Sequence, residues 1–227
     1  MAISTIDGSQ RKAARVVGLA YLLAIPPALF GEAAASAQNL TAHERIFRLG
    51  TASNLAAFAL DVVLITALYV VLKPVNRNLA LLATFWGLIE TAILVVATLS
   101  DLEALRVLSG ADYLRAFEAD RLQALARLSL GAHGVAYHVG LVFAGLRSSV
   151  FCYLWFKSNF IPKTLAAWGV FSSLLLAMCT YAFIIFPELR QVVTVGYYGG
   201  PIFVFELTMG FWLLFKELRQ PELPDPI

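Results

Sequence analysis

The sequence predicts an all-α, polytopic membrane protein, a bundle of about six transmembrane helices. Three observations predict it. Of the 227 residues, 59% are hydrophobic and 14% charged, with mean hydropathy +0.75, whereas a soluble domain averages about 45–50% apolar and about 25% charged. Apolar stretches at 13–31, 51–72, 79–99, 132–156, 164–186 and 197–215 each match or approach the roughly 20 residues that cross about 30 Å of hydrocarbon. None of them alternates polar and apolar residues as a strand would, and backbone in lipid must satisfy its own hydrogen bonds.

The boundaries follow from local chemistry. The first stretch has Arg11-Lys12 before its apolar core and Ala35-Ser36-Ala37 after it, so it reads as a retained helix or as a cleavable signal peptide. Pro26-Pro27 should break it before its outer end. Lys73-Pro74 ends the second stretch, and residues 76–78 turn the chain into the third. Ile161-Pro162-Lys163 separates the fourth from the fifth, Pro187 follows the fifth, and Gly199-Gly200-Pro201 lies near the start of the sixth.

The connection 100–131 is patterned. Leu102, Leu105 and Leu108, then Leu114 and Phe117, then Leu122, Leu125 and Leu128 recur at helical spacing among charged residues, with a break at Ser109-Gly110. The expectation is an interfacial amphipathic helix between the third and fourth spans, plus an outward extension of the fourth. A lid over an outward-facing cavity is the alternative. The tail 220–227 is polar and Pro-rich and is expected to be disordered. No repeat or low-complexity tract divides the chain, so 1–227 reads as a single integral-membrane helical domain.

Several functions are excluded or unsupported. A formal charge of +2 with no basic run beyond two residues argues against nucleic acid. Cys152 and Cys179 lie in apolar stretches without ligand spacing, so no metal or cofactor is expected. Walker, HExxH, GxSxG and dinucleotide motifs are missing.

With the amino terminus inside, Arg11, Lys12, Arg15, Lys73, Arg77, Lys157, Lys163, Lys216 and Arg219 fall on the cytoplasmic side. Seven arginines fall opposite, four of them in the long 100–131 connection, and all five lysines are inside. Both termini are therefore expected in the cytoplasm.

The informative residues are the polar ones at membrane depth. Asp61, Glu90 and Glu206 lie near helix middles, where an ionisable group costs about 2.5–3.5 kcal/mol on insertion scales. They should face the bundle interior and be protonated, paired or hydrated. On the fourth helix His133, Tyr137, Gly140 and Ala144 form one stripe, with Arg147 displaced from it by only about 40°, whereas His138 is about 140° from His133. Asn54 aligns with Asp61 on the second helix, and Trp86 with Glu90 on the third. The predicted polar cluster is Asp61, Glu90, Glu206, Arg147 and His138 or His133, accompanied by Tyr137 and Asn54. Ion pairing that only fixes helix packing would use the same residues, and Arg147 could instead snorkel to the interface. Ser172, Ser173 and Thr180 are expected to bond their own backbone. Trp155 and Tyr197-Tyr198 suit an interfacial aromatic belt.

The stretches FRLG (47–50), LYVVLKPVNRNLALLA (68–83), RKAARVVGLAYLL (11–23), HGVAYHVGLVFAGL (133–146) and SNFIPK (158–163) resemble a family of bacterial integral-membrane proteins catalogued as a domain of unknown function, number four-three-eight-six. The resemblance covers nearly the whole chain, including the first helix, and so favours its retention. It implies a six-helix protein of the bacterial inner (cytoplasmic) membrane and brings no activity with it. The position of Gly87 is often Arg in that family, so this chain departs there.

Three functions fit these residues. One is a small-solute or proton-coupled transporter, with Asp61 and Glu90 as protonatable groups, Glu206 lining the path, Arg147 as counter-charge and His138 or His133 as outer relay. It would bind a small apolar or cationic ligand and, lacking an inverted repeat, would complete itself as a homo-oligomer. A second is an intramembrane enzyme using acid/base chemistry on a lipid or isoprenoid-like substrate. The third is a non-catalytic assembly factor. Contact with the lipid bilayer is common to all three.

Overall fold

A computed structural model describes residues 6–35, 44–109, 111–216 and 218–219. Among them are seven α-helices and no strand: α1 (Gly8–Ala35), α2 (Glu44–Leu72), α3 (Arg77–Val107), α4 (Ala119–Ser158), α5 (Lys163–Ile185), α6 (Val195–Tyr198) and α7 (Gly200–Phe215). Short 3-10 turns lie at Asp112–Leu114 and Pro187–Gln191. Helices α1 to α5 are long and apolar enough to span a bilayer. The 16-residue α7 rises about 24 Å at 1.5 Å per residue, and α6 leads into it through Gly199. The chain is a polytopic helical membrane protein, and its apolar helices contact lipid.

The helix ends are chemically marked. Asp7 and Gln10 cap α1 reciprocally: the Gln10 backbone N–H donates to Asp7 Oδ1 at 2.7 Å, and the Asp7 N–H donates to Gln10 Oε1 at 3.1 Å. Asn76 caps α3 by accepting from the Leu79 N–H at 3.0 Å. Helix α4 stops where Asn159 turns left-handed, at φ 57°.

The helices close into a ring. Helix α1 packs on α2, α2 on α3, α3 on α4, α4 on α5, α5 on α7, and α7 returns to α1. Gly18 and Gly210 let the α1 and α7 backbones meet, since a Cβ on Gly18 would stand 2.9 Å from the Gly210 carbonyl oxygen. The end that carries both termini holds a dense core in which Val17, Leu72, Leu154, Trp155, Phe160 and Met209 are almost fully buried. Phe47, Ala104, Leu105 and Ala126 form a smaller cluster at the far end. Leu99, Phe85, Val96 and Met178 are exposed on the outer surface while Glu90, Asp101 and Arg147 are buried. Polar residues inside and large apolar ones outside is the arrangement expected with lipid as solvent.

Four expectations are corrected. The amphipathic stretch between the third and fourth spans forms no separate interfacial α-helix: α3 continues past 99 to Val107, and only the 3-10 turn at Asp112–Leu114 separates it from α4, whose start at Ala119 is the expected extension of the fourth span. Hydropathy falls there because the helices outlast the hydrocarbon. Pro26 and Pro27 lie inside α1, which runs on to Ala35, as membrane helices tolerate when neighbours satisfy the freed backbone. The sixth span is two helices, α6 and α7. Trp155 is 1% exposed and packs edge-on against Phe160, inside the core and away from the aromatic belt. The Ser36-Ala37 part of the cleavage-like motif, Gly110 and the tail 220–227 lie outside the described residues.

Ser172, Ser173 and Thr180 do bond carbonyls of their own helix. Both cysteines are free thiols.

Candidate functional site

The centre of the ring is built on the α3–α4 seam. On α3, Gly87, Glu90, Leu94, Ala97 and Asp101 are spaced at three or four residues and all are buried, the periodicity of one helix face. On α4, His133, Gly140 and Arg147 are spaced by seven, two helical turns. The helices run antiparallel, and the two rows meet in register. Asp101 pairs with His133, Leu94 packs into the notch left by Gly140, and Gly87 faces Arg147. Each pair lies two turns from the next.

Arg147, only 6% exposed, does not snorkel. Its Nη1 donates to Asp61 Oδ1 on α2 at 2.8 Å, and its Nη2 donates to Glu90 Oε1 on α3 at 3.3 Å. Nε stands 2.9 Å from Glu90 Oε2, off the axis of a directed hydrogen bond, so that approach is one of charge. Thr91 completes the group. Its hydroxyl lies 3.1 Å from Asp61 Oδ2 and 2.9 Å from the Gly87 carbonyl oxygen. One guanidinium thus joins three helices and serves two carboxylates. The missing side chain at Gly87 makes room for it: a Cβ there would lie 2.6 Å from Arg147 Cδ.

Glu206 on α7 is partly buried and lies within electrostatic reach of Arg147, Asp61 and Glu90. Among the described residues it makes no hydrogen bond or ion pair.

The second polar group lies 14 residues up α4, about 21 Å along the helix axis. His133 Nδ1 is 3.0 Å from Asp101 Oδ2 and 3.3 Å from the Ala97 carbonyl oxygen. The carbonyl is an acceptor, which assigns the proton to Nδ1, while the approach to Asp101 is off the axis of a directed hydrogen bond and is one of charge. Asp101 is 2% exposed, and Glu32 of α1 is within electrostatic reach of both residues. The Tyr137 ring stacks on His133 with centroids 6.1 Å apart and planes 13° apart. Tyr137 is within electrostatic reach of Glu32, Tyr198 and Glu90.

The structure therefore brings Asp61, Glu90 and Arg147 into contact, with Glu206 close by, and places His133 and Tyr137 one level outward. It does not bring in His138, whose Nδ1 bonds the Gly134 carbonyl of its own helix at 2.7 Å and whose ring meets Phe183 edge-on. The 140° offset from His133 turns it toward α5. Asn54 is buried in the α1–α2 seam against Gly31, two turns from Asp61 along α2. The sequence reading missed Thr91, Asp101 and Glu32. Asp101 was detectable, because it continues the Glu90–Leu94–Ala97 row once α3 is allowed to pass residue 99. No group of three potential metal ligands occurs among the described residues.

Fold and site together define a polytopic helical membrane protein with a buried, charged centre held by helices α2, α3 and α4. The chain belongs to the family described as Domain of unknown function (DUF4386), whose sequence pattern matches residues 13–216. It is also similar to a protein of Archaeoglobus fulgidus described as an uncharacterized protein, 26% identical over 167 residues, which are 72% of this chain and 81% of that one. No solved structure matches.

Proposed function

We propose that the protein is a proton-coupled transport protein for a small apolar or cationic solute. The observation that supports this reading is the unequal charge count at the centre. Asp61 and Glu90 share the single guanidinium of Arg147, and Glu206 adds a third acid without a direct partner. Full ionisation would leave excess negative charge at mid-membrane, where each uncompensated charge costs about 2.5–3.5 kcal/mol. A proton or a bound cation removes that excess, and an exchange of one for the other is the elementary step of coupled transport. In this reading Arg147 holds the two carboxylates at fixed geometry, Glu206 lines the path, and His133 with Asp101 and Tyr137 passes protons between the far end and the centre. The bias of all five lysines toward one end supports an orientation with both termini in the cytoplasm, and in this reading 1–227 acts as one domain in a bacterial inner membrane.

The test is proton movement. Purified protein in vesicles loaded with a pH-sensitive dye should move protons when a panel of small solutes and organic cations is added outside. Glu90→Gln and Asp61→Asn should abolish that movement while the protein remains folded in the vesicle. Wild-type movement no greater than in protein-free vesicles across the panel, or movement intact in Glu90→Gln, would sink the reading. A packing role rests on the same three-helix bridge, and under it these variants would only lower thermal stability.

A further inference from the structure

We propose that the seam between α1 and α7, at the end carrying both termini, is a binding site for an anionic phospholipid. Its phosphate would sit between Arg15 and Lys216, and an acyl chain would lie along α7. A cavity of about 250 Å³ opens here, lined by Arg11, Arg15 and Lys216 together with Ala14, Leu213 and Leu214. Arg11 and Arg15 are one helical turn apart on α1, so both point to the same side, and Lys216 closes α7 directly opposite. Arg15 and Lys216 have no acidic partner among the described residues. A guanidinium beside an ammonium, at the level where a helix leaves the hydrocarbon, is a combination that recognises a phosphate.

A second feature distinguishes a lipid from a free anion. The cavity adjoins an open, apolar groove of about 390 Å³ lined by Leu207, Phe211, Trp212 and Phe215, and the two hollows share Phe215 and Lys216. A headgroup held by the cations would therefore have its tail directed down a greasy channel on the lipid-facing side of α7. Free phosphate has no use for that channel. The close approach of Gly18 to Gly210 puts the α1–α7 contact at the floor of the site, so a lipid bound there would bridge the first and last helices of the ring. The site is separate from the charged centre and does not depend on the transport reading.

The test is native mass spectrometry of the full chain in detergent, with phosphatidylglycerol, phosphatidylcholine and inorganic phosphate as separate probes. Phosphatidylglycerol should be retained in preference to phosphatidylcholine. Arg15→Gln and Lys216→Gln should each weaken that retention about five-fold, the worth of one basic side chain near an anionic surface. The paired conservative variant Arg15→Lys with Lys216→Arg should keep it. Lys73→Gln, at the same end but outside the cavity, should leave it unchanged and controls for general surface charge. Equal retention of the two lipids, or no loss in the Arg15→Gln/Lys216→Gln double variant with its melting temperature preserved, overturns the proposal. Displacement of phosphatidylglycerol by inorganic phosphate also overturns it, making the cavity a site for free anions.

Discussion

Gly87 and Arg147 face each other so closely that a methyl group on the glycine would stand 2.6 Å from the arginine Cδ, with Ile65 Cδ1 equally near on the other side. The guanidinium that reaches Asp61 and Glu90 is threaded through this gap. Gly87→Ala should displace it. Overpacking of this kind costs about 1–3 kcal/mol, and thermal unfolding of the purified protein should register the loss. An unchanged melting temperature would mean the side chain has room that the geometry denies it.

Among the described residues Arg147 is the one cation in contact with both the half-buried Asp61 and the buried Glu90, so its removal should be far worse than removal of all three charges. Arg147→Met alone should destabilise by about 3–5 kcal/mol, the usual cost of stranding the partners of a buried pair. Adding Asp61→Asn and Glu90→Gln to it should recover most of that loss. Failure of the triple variant to recover would show that the group is held by something other than charge compensation.

Thr91 donates to only one acid, which permits a finer cut. Thr91→Val keeps the shape and removes the hydroxyl that faces Asp61 Oδ2. Hydrogen bonds to charged groups contribute about 1.5–3 kcal/mol, so the variant should melt lower than wild type but higher than Arg147→Met. Melting at the wild-type temperature would show that the bond contributes nothing.

The two histidines should separate cleanly. His133 contacts Asp101 and stacks on Tyr137, whereas His138 is tied to its own helix and to Phe183. Substitution His133→Gln should slow proton movement in dye-loaded vesicles, and His138→Gln should leave it at the wild-type rate. The reverse pattern would place the relay on the α5 side.

At the chain's start the sign of a pH effect is fixed. The backbone N–H of Gln10 donates to the Asp7 carboxylate and holds its pKa below the ordinary aspartate value. The cap is therefore fully present above the unfolded-state pKa and is lost as pH falls through the lowered value. Amide hydrogen exchange in the first turn of α1, corrected for the intrinsic pH dependence of exchange, should become faster on acidification, and Asp7→Asn should blunt that response.

How much was legible in the sequence depended on which physical signal each feature carries. Spans were readable because twenty apolar residues have few other uses. The pairing of Asp61 and Glu90 with Arg147 was readable because charges at that depth have nowhere else to go. Asp101 was misplaced into a connection because hydropathy measures contact with lipid, and α3 remains a helix after its surface has turned polar. His138 was grouped with the acids by depth alone, although its angular position already separated it from His133. The contact between Gly87 and Arg147 had no signal in one sequence, since a glycine in an apolar run says only that something comes close.

The 40-residue α4 extends about 60 Å, while a bilayer with its headgroups is about 40–45 Å thick. Its far end carries the start of α2 and the last turns of α3 with it, packed through Phe47, Ala104, Leu105 and Ala126, so this 24.8 kDa particle has a rigid helical shoulder beyond the bilayer. A bundle of this mass in a micelle gives electron micrographs almost nothing by which to align images. That shoulder, edged by charged residues such as Arg115 and Glu118, offers antibody fragments a handle beyond the detergent belt.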